Sequence, residues 1–128
     1  MSYGYFRIIK GEFDAVENRI REELSENGFG VITEIDVRQT IKNKLDIDIK
    51  PYKILGACNP SYAHRALTDE PDIGLLLPCN IIIEDDQKGS IRVGAIDVEK
   101  MMNIVENNAL REFAGDINEL LRKSIDSI

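Results

Sequence analysis

A short polar loop between two apolar segments constrains the fold of this chain more than any other feature. The loop at residues 85–89 reads Asp-Asp-Gln-Lys-Gly, and it follows three consecutive isoleucines at 81–83. The segment after it, Ser90 to Ile96, is again rich in β-branched residues. Gly89 suits a turn position with positive φ, so the pattern predicts a β-hairpin. Because a hairpin joins antiparallel strands, it argues against a purely parallel sheet.

Apolar residues follow strand or helix periods along the rest of the chain. The predicted order is a strand at 3–9, a helix stopping at Asn27-Gly28, a strand at 29–36, a helix at 37–45, a strand at 52–58, a helix at about 60–70, strands at 73–85 and 90–96, a helix through 105 and a last helix after Asn107-Asn108. This order predicts one α+β domain over residues 1–128. In it, helices pack on a mainly antiparallel sheet of about five strands.

Specific residues support these boundaries. Gly28 can take the left-handed conformation that often ends a helix. Asn59-Pro60 is typical of a helix start, because Asn accepts a hydrogen bond from the exposed backbone N–H groups and Pro is tolerated at the first position. Asp97 has the same capping role before the following helix. In the second strand, alternation predicts that one face is shared by Phe29, Val31, Thr33 and Ile35.

Composition and charge exclude several classes of protein. The 128 residues are 43% hydrophobic and 30% charged, which is typical of a globular domain rather than a disordered chain. The formal charge of −7 argues against a nucleic-acid backbone binder. The most apolar segment, 74–83, is too short for a membrane span and is interrupted by Pro78 and Asn80. No basic start precedes an apolar run, so we expect a soluble cytoplasmic protein without a signal peptide.

Chemistry is most plausible around two cysteines and the one histidine. Cys58 and Cys79 are too few for a secreted disulfide framework, and His64 lies between them. Two thiols and an imidazole are suitable ligands for a transition metal such as zinc. Asp36 or Asp97 could add a fourth ligand. The Cys-x5-His spacing nevertheless matches no compact zinc motif.

Two other hypotheses explain the same residues. The protein could be an interaction domain in which both cysteines only pack in the core, since free cysteine is among the most buried residue types. Alternatively, Cys58 could lie near a helix N-terminus, where the helix dipole favours a reactive thiolate, with His64 as its base. The second alternative predicts a thiol-dependent enzyme or a redox sensor.

The two segments that contain the cysteines also resemble a known family. They read Leu-Gly-Ala-Cys-Asn-Pro at 55–60 and Leu-Leu-Leu-Pro-Cys-Asn at 75–80, and further similarity lies at 28–29, 33–36 and 63–67. Together they resemble the domain of unknown function 302, a bacterial and archaeal family. The resemblance implies one compact α+β domain with a curved antiparallel sheet, commonly paired as a homodimer. It implies no settled activity, and some branches of the family lack both cysteines.

From these observations we expect a homodimeric binding module without a nucleic-acid or membrane partner. The last helix and segment 74–83 offer more apolar surface than one small core accommodates, which favours the dimer. The expected ligand is a small molecule or a transition metal, and zinc is the candidate metal. We expect the ligand-binding residues to be Cys58, Asn59, Cys79, Asn80 and Asp36, and the metal ligands to be Cys58, His64 and Cys79.

Overall fold

The loop at 85–89 forms the expected hairpin in the computed structural model, which describes residues 2–128. Asp86 organises the turn, because its Oδ1 accepts hydrogen bonds from the backbone N–H groups of Lys88 (2.7 Å) and Ser90 (3.1 Å). These hydrogen bonds hold the pKa of the Asp86 carboxyl below its usual value. Gly89 has a φ of +91°, as the turn requires. The hairpin joins β4 (Cys79–Asp85) to β5 (Ser90–Ile96).

The strands within residues 2–128 form one sheet in which every neighbouring pair is antiparallel. Its order is β1-β5-β4-β3-β2. The remaining strands are β1 (Gly4–Lys10), β2 (Gly30–Asp36) and β3 (Tyr52–Cys58). The helices are α1 (Phe13–Glu26), α2 (Val37–Leu45), α3 (Pro60–Asp69), α4 (Val98–Met102) and α5 (Asn108–Asp126), with a 3₁₀ helix at Pro71–Leu76. The predicted single α+β domain with a five-stranded antiparallel sheet is confirmed.

The core lies between one face of the sheet and helices α1 and α5. Helix α5 presents an apolar stripe to the core, with Leu110, Phe113 and Leu121 at 1% exposure or less. Helices α3 and α4 pack against α5 and complete this layer. None of the helices within residues 2–128 combines the length and the apolarity that crossing a bilayer requires.

The predicted strand over 73–85 is wrong in its first half. Residues Pro71–Leu76 form the 3₁₀ helix, and β4 begins only at Cys79. Because Pro78 has no N–H to donate to a sheet ladder, the ladder starts after it. Ile73 is buried, but Leu75 is 88% exposed, so this apolar run is not a strand buried on both faces.

The predicted alternation of β2 is wrong in its second half, because a β-bulge interrupts the strand. Val31 pairs with Ala57, whereas Thr33 pairs with Gly56, the next residue of β3. Ile32 is the extra residue. A bulge of this kind reverses the alternation that follows it. The last residues of β2 therefore present the opposite face from the one that periodicity predicts.

The predicted helix caps are present where the sequence indicates them. The Asp97 Oδ1 atom accepts a hydrogen bond from the Lys100 backbone N–H at 3.1 Å. Helix α4, predicted to run through Val105, ends instead at Met102. Gly28 follows α1 with a φ of +86°, as predicted. Asn107, predicted as a break in the chain, caps α5 by accepting a hydrogen bond from the Ala109 backbone N–H.

Candidate functional site

A cavity of about 310 Å³ lies between α3 and α5, against the adjacent ends of β3 and β4. Cys58, the last residue of β3, and Cys79, the first residue of β4, both line it. Cys79 pairs across the sheet with Ala57, the residue before Cys58, so the two cysteines come from neighbouring strands. The cavity is lined by Phe29, Ile32, Ala57, Cys58, Asn59, Tyr62, Ala63, Ala66, Leu67, Gly74, Leu77, Pro78, Cys79, Met102, Phe113 and Ile117.

Asn59 fixes the point where β3 passes into α3. Its side-chain Oδ1 accepts a hydrogen bond from the Tyr62 backbone N–H at 3.4 Å, which caps the helix. Gly28 packs closely beside it, because a Cβ at residue 28 would lie 3.1 Å from Asn59 Nδ2. Glycine is therefore favoured at residue 28, chiefly by its positive φ and also by this close contact. The cap thus holds Cys58 and the first turn of α3 at the cavity.

Aromatic rings form the wall on the α5 side. The rings of Tyr62 and Phe113 stack with their centroids 5.6 Å apart. The Arg65 guanidinium lies 4.7 Å from the centroid of the Phe113 ring and pairs with Glu112 outside the cavity. These contacts fix the rings and keep the charge of Arg65 out of the cavity.

The two thiols have different environments. Cys79 is 7% exposed, and its burial, with a smaller effect of nearby Cys58, raises the pKa of the Cys79 thiol to about 11. Cys79 is therefore protonated at neutral pH and is a poor nucleophile. Cys58 is only half-buried, and it directly precedes the cap of α3.

The structure does not bring together the three residues predicted to bind metal. Across residues 2–128, no group of three or more His, Cys, Asp or Glu side chains is placed to hold a metal ion. His64 is on the exposed side of α3 and is absent from the cavity wall. The amphipathic pattern of α3 explains this position, because its small residues Ala63 and Ala66 face the cavity instead. Metal binding by the protein stays a prediction.

Two of the five predicted ligand-binding residues also lie elsewhere. Asn80 follows Cys79 on a strand and so points to the other face of the sheet. There it lines a second groove, beside Lys100 and Ile104. Asp36 accepts a hydrogen bond from the Gln39 backbone N–H at 2.9 Å and caps α2. Its side chain lines a third, polar depression that does not include either cysteine.

The sequence reasoning missed most of the cavity wall, because it assigned the apolar residues to a continuous core. Phe113 and Ile117 belong to the α5 stripe, and nothing in that stripe distinguishes a cavity wall from packed core. The available signal was residue size. Ala57, Ala63 and Ala66 supply short side chains from two facing elements, so the space between them is not filled.

The fold and the site together define a single-domain α+β protein in which helices cover one face of an antiparallel sheet and enclose an apolar, cysteine-containing cavity. The family described as "Domain of unknown function DUF302" matches residues 7–128, and the chain belongs to this family.

Two relatives extend this result. The crystal structure of the uncharacterized conserved protein DUF302 from Bacillus stearothermophilus superimposes with a TM-score of 0.90, at 27% identity and over 98% of both chains. An uncharacterized protein of Aquifex aeolicus (strain VF5) is 34% identical over 58 residues, which are 44% of this chain. That match spans 40% of the length of the Aquifex relative.

Proposed function

We propose that this protein is a homodimeric binding module that takes a small, mostly apolar ligand between α3 and α5. The observation that carries the proposal is the cavity of about 310 Å³. Its volume is at the lower end of the range for ligand pockets, about 300–1,000 Å³. None of the described residues that line it is charged. Burial of apolar ligand surface would therefore supply most of the binding free energy.

The few polar atoms of the wall restrict the ligand further. Asn59 Oδ1 already accepts the hydrogen bond from the Tyr62 backbone N–H, so the wall offers a ligand very few hydrogen-bond partners. The sulfur atoms of Cys58 and Cys79 are polarizable and favour contact with an aromatic or unsaturated group. A small uncharged apolar ring or short chain fits these properties best.

We prefer this ligand class to a transition metal because only two thiols converge. Zinc sites have at least three protein ligands, and Cys79 would first have to lose a proton that burial retains. Elemental analysis of protein purified without chelators tests this choice. We expect no stoichiometric metal. About one metal ion per chain that is lost in both Cys58→Ala and Cys79→Ala would overturn the proposal.

Binding to the cavity can be tested with an uncharged fluorescent probe, phenylnaphthylamine. We expect its fluorescence to rise on binding to the wild-type protein. Ala63→Leu places extra volume in the cavity and should weaken binding on the order of 10-fold or more. His64→Leu is the matched control, because the adjacent residue is exposed and does not line the cavity. Equal weakening by both variants, or no binding by the wild type, would contradict the proposal.

The homodimer and the cytoplasmic location belong to the same proposal. Both thiols are free, which fits a reducing compartment. Several large apolar side chains remain exposed, including Ile8 and Ile35 on the sheet. Exposed apolar surface of this kind favours association with another protein surface. Light scattering at micromolar concentration measures the oligomeric state directly, and a monomer would contradict the dimer.

A further inference from the structure

The groove that contains Asn80 lies at the end of the sheet where β4 begins and β5 ends, and residues of the 3₁₀ helix and α4 also line it. Its volume is about 440 Å³, which is within the range for ligand pockets, about 300–1,000 Å³. Leu77 and Pro78 line both this groove and the cysteine-containing cavity. They therefore form a wall between two separate sites.

Exposed apolar side chains from three separate segments line this groove. Tyr3 precedes β1, Leu75 belongs to the 3₁₀ helix and Ile104 follows α4. Their exposed fractions are 74%, 88% and 72%. Single exposed apolar residues are common on protein surfaces, but three that line one concave site are typical of a ligand-binding surface. Met101, which is buried, adds an adaptable thioether side chain to the same groove.

Lys100 is the charged residue of the groove. Its ammonium donates a hydrogen bond to the backbone carbonyl of Ser2, and because an ammonium has three N–H donors, others stay available to a ligand. Within residues 2–128, no carboxylate forms an ion pair with Lys100. The Asp97 carboxylate, which caps α4, contacts Asn118 Nδ2 at 3.0 Å and Arg122 Nη2 at 3.6 Å. The groove thus presents a positive charge although the whole chain carries −7.

Two polar side chains in the groove also have donors to spare. Asn80 is exposed, and its side-chain amide makes no hydrogen bond to any residue that the structure describes. The same is true of the Tyr3 hydroxyl. Both groups can donate to a carboxylate oxygen, and hydrogen bonds to an ionised acceptor are stronger than neutral ones. Together with Lys100, these donors favour an anionic group.

We propose that this groove binds a monoanionic amphiphile, a single hydrocarbon chain that ends in a carboxylate. The carboxylate lies at Lys100 and Asn80, and the chain covers Leu75 and Ile104. The ligand class follows from the combination, because apolar residues alone attract any hydrocarbon and a lysine alone attracts any small anion. The lining of the cysteine-containing cavity carries no charge, so the two sites take different ligands. This proposal does not depend on the proposed function.

Other occupants fit these residues less well. An inorganic anion would leave the exposed side chains of Leu75 and Ile104 in water. A cationic amphiphile would bring a like charge to Lys100. Because Lys100 is exposed, salt screens its attraction for a carboxylate. Burial of the chain must therefore supply most of the affinity, and the carboxylate supplies the selectivity.

Isothermal titration calorimetry with octanoate at neutral pH tests the site. We expect octanoate to bind the wild-type protein and Lys100→Met to weaken this binding on the order of 10-fold. Lys100→Arg keeps the charge and should retain most of the affinity. Lys44→Met is the matched control, because Lys44 is an exposed lysine of α2 that does not line the groove. No binding by the wild type, or equal affinity of the two methionine variants, would overturn the proposal.

The chain is tested separately from the charge. Acetate has the carboxylate without the chain and should not bind measurably. Octanol has the chain without the charge, and its affinity should be the same for the wild type and Lys100→Met. Ile104→Ser should weaken octanoate binding several-fold, because it removes apolar surface that the chain covers. Acetate that binds as tightly as octanoate would reduce the groove to a simple anion site and refute the amphiphile.

Competition with phenylnaphthylamine separates this site from the cavity. Octanoate should not displace the probe, and Ala63→Leu, which fills the cavity, should leave octanoate binding unchanged. Displacement of the probe together with loss of octanoate binding in Ala63→Leu would place octanoate in the cavity and overturn the groove. Failure of the probe to bind the wild type would contradict the proposed function alone, because the octanoate titration does not depend on it.

Discussion

The two ends of β3 on the helix-covered face differ in how the space above them is filled. At one end, the Lys53 ammonium contacts Glu17 Oε1 at 2.9 Å and Glu34 Oε1 at 3.0 Å. Arg21 closes the network with hydrogen bonds of 3.0 Å to both carboxylates. At the other end, four residues along the strand, Ala57 faces the cavity.

The two ends differ in the length and charge of the side chains that line them. Long side chains from α1, β2 and β3 meet and neutralise one another at the ionic end. The Lys53 hydrogen bond holds the pKa of the Glu34 carboxyl below its usual value, and the Glu17 hydrogen bond raises the pKa of Lys53. At the cavity end, Ala57 of β3 and the α3 residues Ala63 and Ala66 line the space, and their short side chains leave part of it unfilled.

Phe113→Ala should have the largest effect on the cavity end. The ring is 1% exposed and stacks on Tyr62, so its removal enlarges an existing cavity. We expect the free energy of unfolding, measured in urea, to fall by about 3–5 kcal/mol. Leu75→Ala is the control, and at 88% exposure it should change the value by less than about 0.5 kcal/mol. A loss below about 1 kcal/mol for Phe113→Ala would mean that this end already lacks tight packing.

Lys53→Met should have the next largest effect, at the ionic end. Glu17 is only 7% exposed and would lose one of its two cations. We expect a loss of about 1–3 kcal/mol in the free energy of unfolding. Lys42→Met, which removes an exposed pair with Asp46, should cost less than about 0.5 kcal/mol.

A double variant sharpens the result at the ionic end. Glu17→Leu combined with Lys53→Met removes the buried carboxylate together with its cation. We expect it to recover most of the stability lost in Lys53→Met, because no incompletely paired charge remains buried. A double variant less stable than Lys53→Met alone would show that the network contributes more than an apolar filling.

The sequence predicted those elements of the fold whose signals are local. Periodicity and caps predicted α2, β3 and β5 with the bounds that the structure has, because their patterns report local conformation. They did not predict the bulge at Ile32, since one extra residue leaves no local signal when both faces of a strand carry apolar side chains. Segment 73–78 was misassigned because hydrophobicity alone does not distinguish a strand from a short helix.

The candidate site was predicted only where chain geometry sufficed. Cys58 and Cys79 end and begin neighbouring strands, so their shared location follows from topology. The position of His64 depends on which side of α3 faces the sheet, and the alanines of that helix determine it. Asn80 is outside the cavity for a related reason, because it follows Cys79 directly and adjacent residues of a strand point to opposite faces.

Alkaline pH should destabilise the cavity end through Cys79. Burial raises the pKa of this thiol from 9.0 to about 11, so the folded state favours the protonated thiol more than the unfolded chain does. This preference contributes fully to the free energy of unfolding below pH 9 and is lost as the pH rises towards 11. Between about pH 8 and about pH 10, the wild-type protein should lose about 1 kcal/mol more than Cys79→Ala does. Urea unfolding with a reductant present measures both losses. Equal losses would show that Cys79 ionises as readily in the folded protein as in the unfolded chain.

Alkylation by iodoacetamide at neutral pH should distinguish the two thiols without a change in stability. We expect Cys58 to react on the order of 10-fold faster than Cys79, because Cys58 is half-buried and Cys79 is both buried and protonated. Phenylnaphthylamine should slow the reaction of Cys58 if it occupies the cavity, and both thiols should react alike in denaturant. Faster labelling of Cys79 would reverse the order and favour the thiol-enzyme or redox-sensor hypothesis. The ionic end has no reactive group of this kind, so the labelling order reports on the cavity end alone.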